Sequence, residues 1–324
     1  MDPAIDVLIV THQAGHLLNE CLEGLAKQRV SPARTVVVVS SHAPVSVRSG
    51  VEVIHTHGPC DFAAAANRGL STLGDRPVVL LNDDTVPDPN FLAALGGAIE
   101  AEGIYQPRIL LPNGTVDNTG HRLFWDGFNV ARDRGTTETR TADTCGAFSG
   151  AAVLFTPEVL RTVGVFDEDF GAFGEDLDLS LRAVRHGFQI HHVPGAVVTH
   201  RLGATYGRTS PRKIFLVERN RTRAAVRSLP VAALALLPLT TGVRVASMGA
   251  AALSGSGLGA GAGLNGAIAA LAGMAAGTAQ APRAWGKRVV DRPAWVIGDT
   301  AMLRHLADAR VPFSDWFGTA ISDQ

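Results

Sequence analysis

Three stretches, DVLIV (6–10), TVVVVS (35–40) and PVVLLN (77–82), each carry four consecutive aliphatic residues, and they constrain this chain more than any other feature. A strand that is apolar at every position has both faces covered, so it belongs inside a sheet with helices above and below. The segments between the runs fit that requirement. HLLNECLEGLAKQ (16–28) and DFAAAANRGLSTL (61–73) have apolar residues at helical spacing, and VEVIHT (51–56) has the look of a further strand. This β-α-β alternation predicts a mainly parallel α/β sheet flanked by helices, with ligands at the carboxyl ends of the strands.

With 324 residues, 46% hydrophobic and 18% charged, the chain can bury a large core, and its length suits one sizeable domain plus an appendage. A formal net charge of -1 gives no electrostatic basis for nucleic acid as a partner. Cys21, Cys60 and Cys145 are odd in number and form no CxxC pair, which points away from a disulfide framework or a zinc knuckle and toward a reducing cytosol. The N-terminal MDPAIDVLIV has acids where a signal peptide has basic residues, so the expected location is cytoplasmic.

The third aliphatic run ends in Asn82-Asp83-Asp84. Two readings compete there. Asn-Asp-Asp before Pro87 is good turn chemistry, and Asp84 suits the cap of a helix starting near Pro89. Alternatively, paired carboxylates at a strand's carboxyl end offer hard oxygen ligands to Mg²⁺ or Mn²⁺, and the ion bridges a substrate diphosphate. A second acidic cluster, Glu175, Asp176 and Asp178, follows the aromatic and Gly-rich GAFG (171–174) and opens a helix with Leu177, Leu181 and Val184 on one face. Acids in a first helical turn complement the macrodipole. The bulky entry with Phe170 and Phe173 is not explained that way, whereas a carboxylate at a partly dry mouth can accept a proton from a hydroxyl.

On these residues the chain resembles the family 2 glycosyltransferases of GT-A, Rossmann-like fold, and among them the bacterial rhamnosyltransferase-type members. The resemblance covers about residues 5–230 and rests on the order of FAAAANRG (62–69), LLNDDT (80–85), FSGAAVLFTPEVLRTVGVFDEDF (148–170), GEDLDLSLR (174–182), VPGAVVTH (193–200) and ERNRTR (218–223). It implies a metal-binding element at Asp83 and Asp84, with Asp84 the direct ligand and His200 completing the shell. It implies Asp176, paired with Glu175, as general base. Thr11, His12, Ser40, Asn67, Arg68, Asn82 and Asp83 match the nucleotide-sugar side. Arg219 and Asn220 match a basic segment near the diphosphate, though a solvated helix face explains them equally well, and Gly150 falls on the diphosphate and acceptor side. Trp125 and Phe128 offer aromatic faces for an acceptor sugar. The implied reaction is inverting transfer of a sugar, rhamnose by this likeness, from a nucleoside-diphosphate sugar to a hydroxyl of a glycan or lipid-linked acceptor.

One departure bears on the donor. Relatives end the second strand in Asp-Asn-x-Ser, with the Asp reading the base, whereas this chain has Ser40, Ser41 and His42, and a Ser supplies no carboxylate acceptor. Two other classes stay open. A sugar nucleotidylyltransferase would release free pyrophosphate but wants a Gly-rich phosphate loop with a Lys, where this chain has THQAGH. A catalytically silent membrane-bound partner would keep the fold without turnover.

The expected catalytic domain is 1–228, and 229–324 is a helical Ala/Gly-rich region. Between 231 and 282 the only charged residue is Arg244. Gly is poor in helices, so 255–266 reads as a break between two of them. Basic residues on both sides, Arg219 to Arg227 and Arg283 to Arg292, keep both ends on the cytoplasmic face. This favours helices lying on the inner face of the plasma membrane over a single crossing. The alternative is a helical extension packed on the catalytic domain or on a second copy of the chain.

Overall fold

The computed structural model describes residues 3–312 except 14, 43, 57, 59, 202–209 and 254–262. The first half follows the apolar runs closely: β1 (Asp6–Thr11), α1 (His16–Ala26), β2 (Arg34–Val39), β3 (Val51–His55), α2 (Phe62–Leu70) and β4 (Val78–Asn82). Then come β5 (Thr85–Pro87), α3 (Phe91–Gly97), β6 (Gly103–Leu110), β7 (Val116–Asn118), β8 (His121–Leu123), β9 (Asn129–Ala131), β10 (Asp143–Thr144) and β11 (Ala152–Phe155). The α/β body closes with α4 (Pro157–Val163), α5 (Glu175–Arg185) and β12 (Gln189–His200).

Among the described residues the main sheet has the strand order β10-β12-β6-β11-β4-β1-β2-β3. β1 pairs parallel with β2 and β4, so Leu8 stands beside Val36 and Leu80. Alternate residues of these strands serve two cores: Leu8, Val36 and Leu80 on one face, Ile9, Val37 and Leu81 on the other. That is why each run is apolar throughout. β11 enters antiparallel between β4 and β6, which mixes the second half of the sheet.

From β1 the chain winds outward through β2 and β3, then returns to place β4 on the other side of β1. The strand order reverses there, and the carboxyl ends of β1 and β4 flank the crevice where α/β sheets bind ligands.

The remainder is helical: α6 (Pro211–Ser228), α7 (Val231–Ala235), α8 (Leu237–Leu253), α9 (Gly263–Ala279), α10 (Ala281–Asp291) and α11 (Asp299–Asp308). The break expected over 255–266 falls largely outside the described residues, and α9 begins at Gly263. α9 lies against α6 at near-backbone distance. A Cβ at Gly273 would stand 2.4 Å from the Phe215 carbonyl, and one at Gly277 2.7 Å from that of Arg219. Two glycines four apart thus let the helices touch.

The basic residues flanking this region turn inward. Arg227 pairs with Asp167 (2.9 Å), Asp178 and Asp291, while Lys287 pairs with Asp167 and Asp169. Arg288 donates to the carbonyls of Val226, Arg227 and Leu229 at the end of α6. The flanking charges therefore lock the helices to the α/β body. No helix among the described residues is long and apolar enough to cross a membrane.

Candidate active site

The switch point brings the first acidic pair to a defined setting. Thr11, last residue of β1, donates its hydroxyl to Asp83 Oδ2 at 2.5 Å. Burial and the neighbouring Asp84 charge raise the Asp83 pKa, with the Thr11 bond opposing them. Asp84 is buried and faces the end of β12, where His200 Nε2 stands 3.3 Å from Asp84 Oδ2. β5 sets this distance, because Thr85 pairs with His200 across an antiparallel ladder.

The other imidazole nitrogen of His200, Nδ1, lies 3.0 Å from Asp117 Oδ2, and Asp117 is itself paired with Arg134. Burial disfavours the imidazolium, yet the bonds to Asp117 and Asp84 outweigh it and push the His200 pKa up to about 9. The two flanking carboxylates make this a point where positive charge is stabilised.

These residues fit a divalent ion in one specific sense. Adjacent ligands of an octahedral ion with bonds of about 2.1 Å lie about 3 Å apart, and the two donors are 3.3 Å apart. A carboxylate fixing the distal nitrogen of a ligating His is the usual second-layer arrangement. Among the described residues no group of three His, Cys, Asp or Glu side chains forms a complete cage. Mg²⁺ seldom needs one, since substrate phosphates and water fill the rest of its shell.

The second acidic pair opens α5. Asp176 Oδ1 accepts from the Leu177 amide at 2.8 Å, and its Oδ2 accepts from the Gly150 amide at 3.3 Å. Gly150 lies just before Ala151, whose carbonyl accepts from Asn82 at 2.9 Å, so the two acidic clusters are neighbours across β11. His121 bridges them electrostatically, feeling both Asp176 and Asp117. Burial lowers the His121 pKa despite those charges, and Nδ1 lies 3.1 Å from the Phe148 carbonyl.

Glu175 has a different fate from its neighbour. It is buried, its Oε2 has no hydrogen-bond partner among the described residues, and burial together with the Asp176 charge raises its pKa to about 8. The folded state therefore holds a proton that the unfolded chain releases near pH 4.5, and the Glu175 contribution to stability declines as pH rises from about 5 to 8. Glu175→Gln is expected to flatten that decline. Urea melts across pH 5 to 9 should show the variant gaining on the parent by a few kcal/mol at the alkaline end, roughly 1.4 kcal/mol for each pH unit that separates the folded and unfolded titrations. A constant difference would mean that Glu175 is ionised in the fold.

Several residues assigned to the site by likeness are engaged otherwise. The Asn67 amide holds Phe166 from both sides, donating to its carbonyl (2.9 Å) and accepting from its N–H (3.0 Å), and so fastens a loop. Arg68 is exposed on α2. Ser40 is buried with its hydroxyl donating to the Thr11 carbonyl at 3.2 Å and lying 3.3 Å from His12 Nδ1. Asn220 is fully buried and donates to the carbonyls of Phe170, Ala172 and Phe173, while Arg219 donates to the Phe170 carbonyl and to Asn220. The Asn220 amide is thus engaged within the protein, on the bend that precedes α5. Trp125 packs on the core, and the Phe128 face is covered by the Arg244 guanidinium 4.2 Å away.

Asp117 and His121 escape sequence reasoning. Asp117 sits in TVDNTG, which has no spacing signal, and His121 opens the HRLFWDGFN stretch, whose evident feature is its aromatics. A cavity of about 630 Å³ is lined by His121, Arg122, Arg132, Arg140 and Arg310.

Comparison with known proteins agrees with this fold. The chain is 28% identical over 166 residues to the "Pre-mycofactocin glycosyltransferase" of Mycobacterium tuberculosis, covering 50% of this chain but only 34% of that relative. It is 24% identical over 248 residues to the "N-acetylglucosaminyl-diphospho-decaprenol L-rhamnosyltransferase" of the same organism, covering 64% of this chain and 79% of the relative. Its fold is similar to that of a mannosyltransferase from Pyrobaculum calidifontis solved with GDP-Man and Mn²⁺ (TM-score 0.52, 18% identity, 95% and 88% coverage). It is also similar to S. aureus TarS 1-349 (TM-score 0.54, 14% identity, 94% and 90% coverage). A family model described as "Glycosyltransferase like family 2" matches residues 3–226, more than half of the chain, and the chain belongs to that family.

Proposed function

We propose that the chain is an inverting glycosyltransferase that moves a sugar from a nucleoside-diphosphate sugar to a hydroxyl of a glycan or lipid-linked acceptor. The observation that carries this reading is the paired station at one sheet edge: Asp84 with His200 on one side, Asp176 on the other, joined through Asp117 and His121. Mg²⁺ or Mn²⁺ bound by Asp84 and His200 would neutralise the charge that develops on the departing diphosphate. Asp83, held by Thr11, faces the donor side of the same crevice. Asp176 takes the proton of the attacking hydroxyl, and a single displacement inverts the anomeric centre. His121, kept neutral by burial, leaves the negative charge of Asp176 available to that proton. The acceptor approaches on the side of His121, which lines the cavity and also feels the charge of the base.

The likeness to a rhamnosyltransferase with a diphospho-decaprenol acceptor favours rhamnose and a polyprenyl-linked acceptor. The test is a thermal-shift panel of UDP-N-acetylglucosamine, GDP-mannose and thymidine-diphosphate rhamnose, each with and without Mn²⁺. A ligand that binds the folded state a hundredfold above its Kd stabilises by about 2.7 kcal/mol, so the true donor raises Tm by several degrees, and only with the metal. No metal-dependent shift with any of the three would remove this reading.

The helices after residue 229 are read as a membrane-surface element. Leu236, Leu239 and Val243 form one exposed stripe, and Leu264, Ile268 and Leu271, 76%, 56% and 60% exposed, form another at i, i+4, i+7. Apolar stripes of this kind lie in lipid interfaces. The protein should co-sediment with phosphatidylglycerol vesicles, and Ile268→Ser with Leu271→Ser should reduce the bound fraction several-fold. Equal binding by that double variant would place the contact elsewhere.

A further inference from the structure

The segment before Asp176 is bent in a way its own residues do not enforce. Gly171, Phe173 and Gly174 all have positive φ, +70°, +64° and +85°. Phe173 is a bulky residue in a region L side chains rarely adopt, so the surroundings must hold it there. Gly174, the N-cap of α5, has no side chain to close the helix start. The carbonyls of this bend turn inward, away from water.

A single buried amide meets them. Asn220 Nδ2 donates to the carbonyls of Phe170 (3.0 Å), Ala172 (3.1 Å) and Phe173 (2.5 Å). The amide orientation is set by Arg219, whose Nε donates to Asn220 Oδ1 at 2.9 Å and leaves only the NH₂ to face the bend. Arg219 also reaches the Phe170 carbonyl (2.9 Å), and Arg223 the Asp169 carbonyl (2.7 Å). A Cβ on Gly174 would stand 3.0 Å from Asn220 Cβ, so the bend is moulded directly on this side chain.

We infer that Asn220 is a positioning residue for Asp176: by capturing three carbonyls of the bend it fixes where α5 begins, and with it the carboxylate one residue into the helix. The inference rests on Asp176 being the base, and its role for Asn220 replaces contact with the diphosphate. Placement matters because an error of about 1 Å in a reacting group costs on the order of a hundredfold in rate. α6 is in turn held by α9 through Gly273 and Gly277, so the C-terminal helices support the same bend from behind.

The test uses the full chain, Asn220→Ala and Asn220→Asp, with the nucleotide sugar that gives the largest shift in the donor panel. Both variants are expected to lose about thirtyfold or more in kcat while donor KM stays within about threefold. Asn220→Asp keeps the volume but offers no N–H, so a loss at least as large as for Ala ties the effect to the hydrogen bonds. In an Asp176→Asn background the same changes should cost less than about twofold, because there is no base left to misplace. Hydrogen exchange without substrate should quicken at residues 171–177 and not in β1 or β4. Unchanged exchange in that segment, a parental kcat in the folded variants, or an undiminished loss in the Asp176→Asn background would each overturn the inference. Absence of turnover by the parent with every sugar nucleotide would instead count against the transferase reading, and the exchange measurement would still decide the role of Asn220.

Discussion

Asp176→Asn should lower turnover of the nucleotide sugar by about a hundredfold to ten-thousandfold, the range for loss of a general base. A hundredfold loss is about 2.7 kcal/mol in the barrier. The amide has the shape of the carboxylate and still accepts from Leu177, the contact now made by Oδ1 at 2.8 Å, so the start of α5 should survive. What disappears is the capacity to take a proton. Because the Asp176 carboxylate is held by the Leu177 and Gly150 amides, metal-dependent stabilisation by the donor through Asp83, Asp84 and His200 should persist at nearly the parental Kd. That combination, intact binding with lost turnover, separates a base from a residue that merely shapes the pocket. Near-normal turnover would transfer the base role to another group, with His121 the first to examine.

The parts of this molecule that are legible in the sequence are those whose residue pattern has one physical solution. Four consecutive aliphatic residues at 7–10, 36–39 and 78–81 have to be covered on both faces, and all three are inner strands. Asp84 and Asp176 stand out as candidates because one carboxylate follows a strand end and the other opens a helix. Asp117 does not, since it acts through the distal nitrogen of His200, and no spacing rule links residues 83 positions apart. The side chain of Asn220 looks the same in sequence whether it faces a ligand or three carbonyls of its own chain. Charge counting leaves Arg227, Lys287 and Arg288 without partners for a related reason. Composition records that they are basic, but only the fold shows that Asp167, Asp291 and the end of α6 are opposite them.

Asp126→Ala should destabilise the protein by about 3–5 kcal/mol, the cost of removing one partner from a buried ion pair. Asp126 is fully buried with Arg221, Arg244 and Glu218, four charges that sum to zero. Arg244 Nε donates to Asp126 Oδ2 at 2.8 Å while its other nitrogens reach Glu218, 3.0 Å from Oε1. Thr241 adds a hydroxyl bond to Asp126 at 3.0 Å. Truncating Asp126 leaves two guanidinium groups against one carboxylate in a site that water does not reach. The imbalance falls at the joint between α8 and the α/β body, because Arg244 is the one charge in the apolar stretch 231–282. Loss of stability should therefore come with faster hydrogen exchange through α8 before global unfolding. The restoring change is instructive: Asp126→Leu combined with Arg244→Met removes one charge of each sign, and should recover most of the loss, as buried pairs replaced by apolar residues often do. A urea midpoint for Asp126→Ala equal to that of the parent would mean that water already reaches this quartet and that α8 is held by its apolar contacts alone.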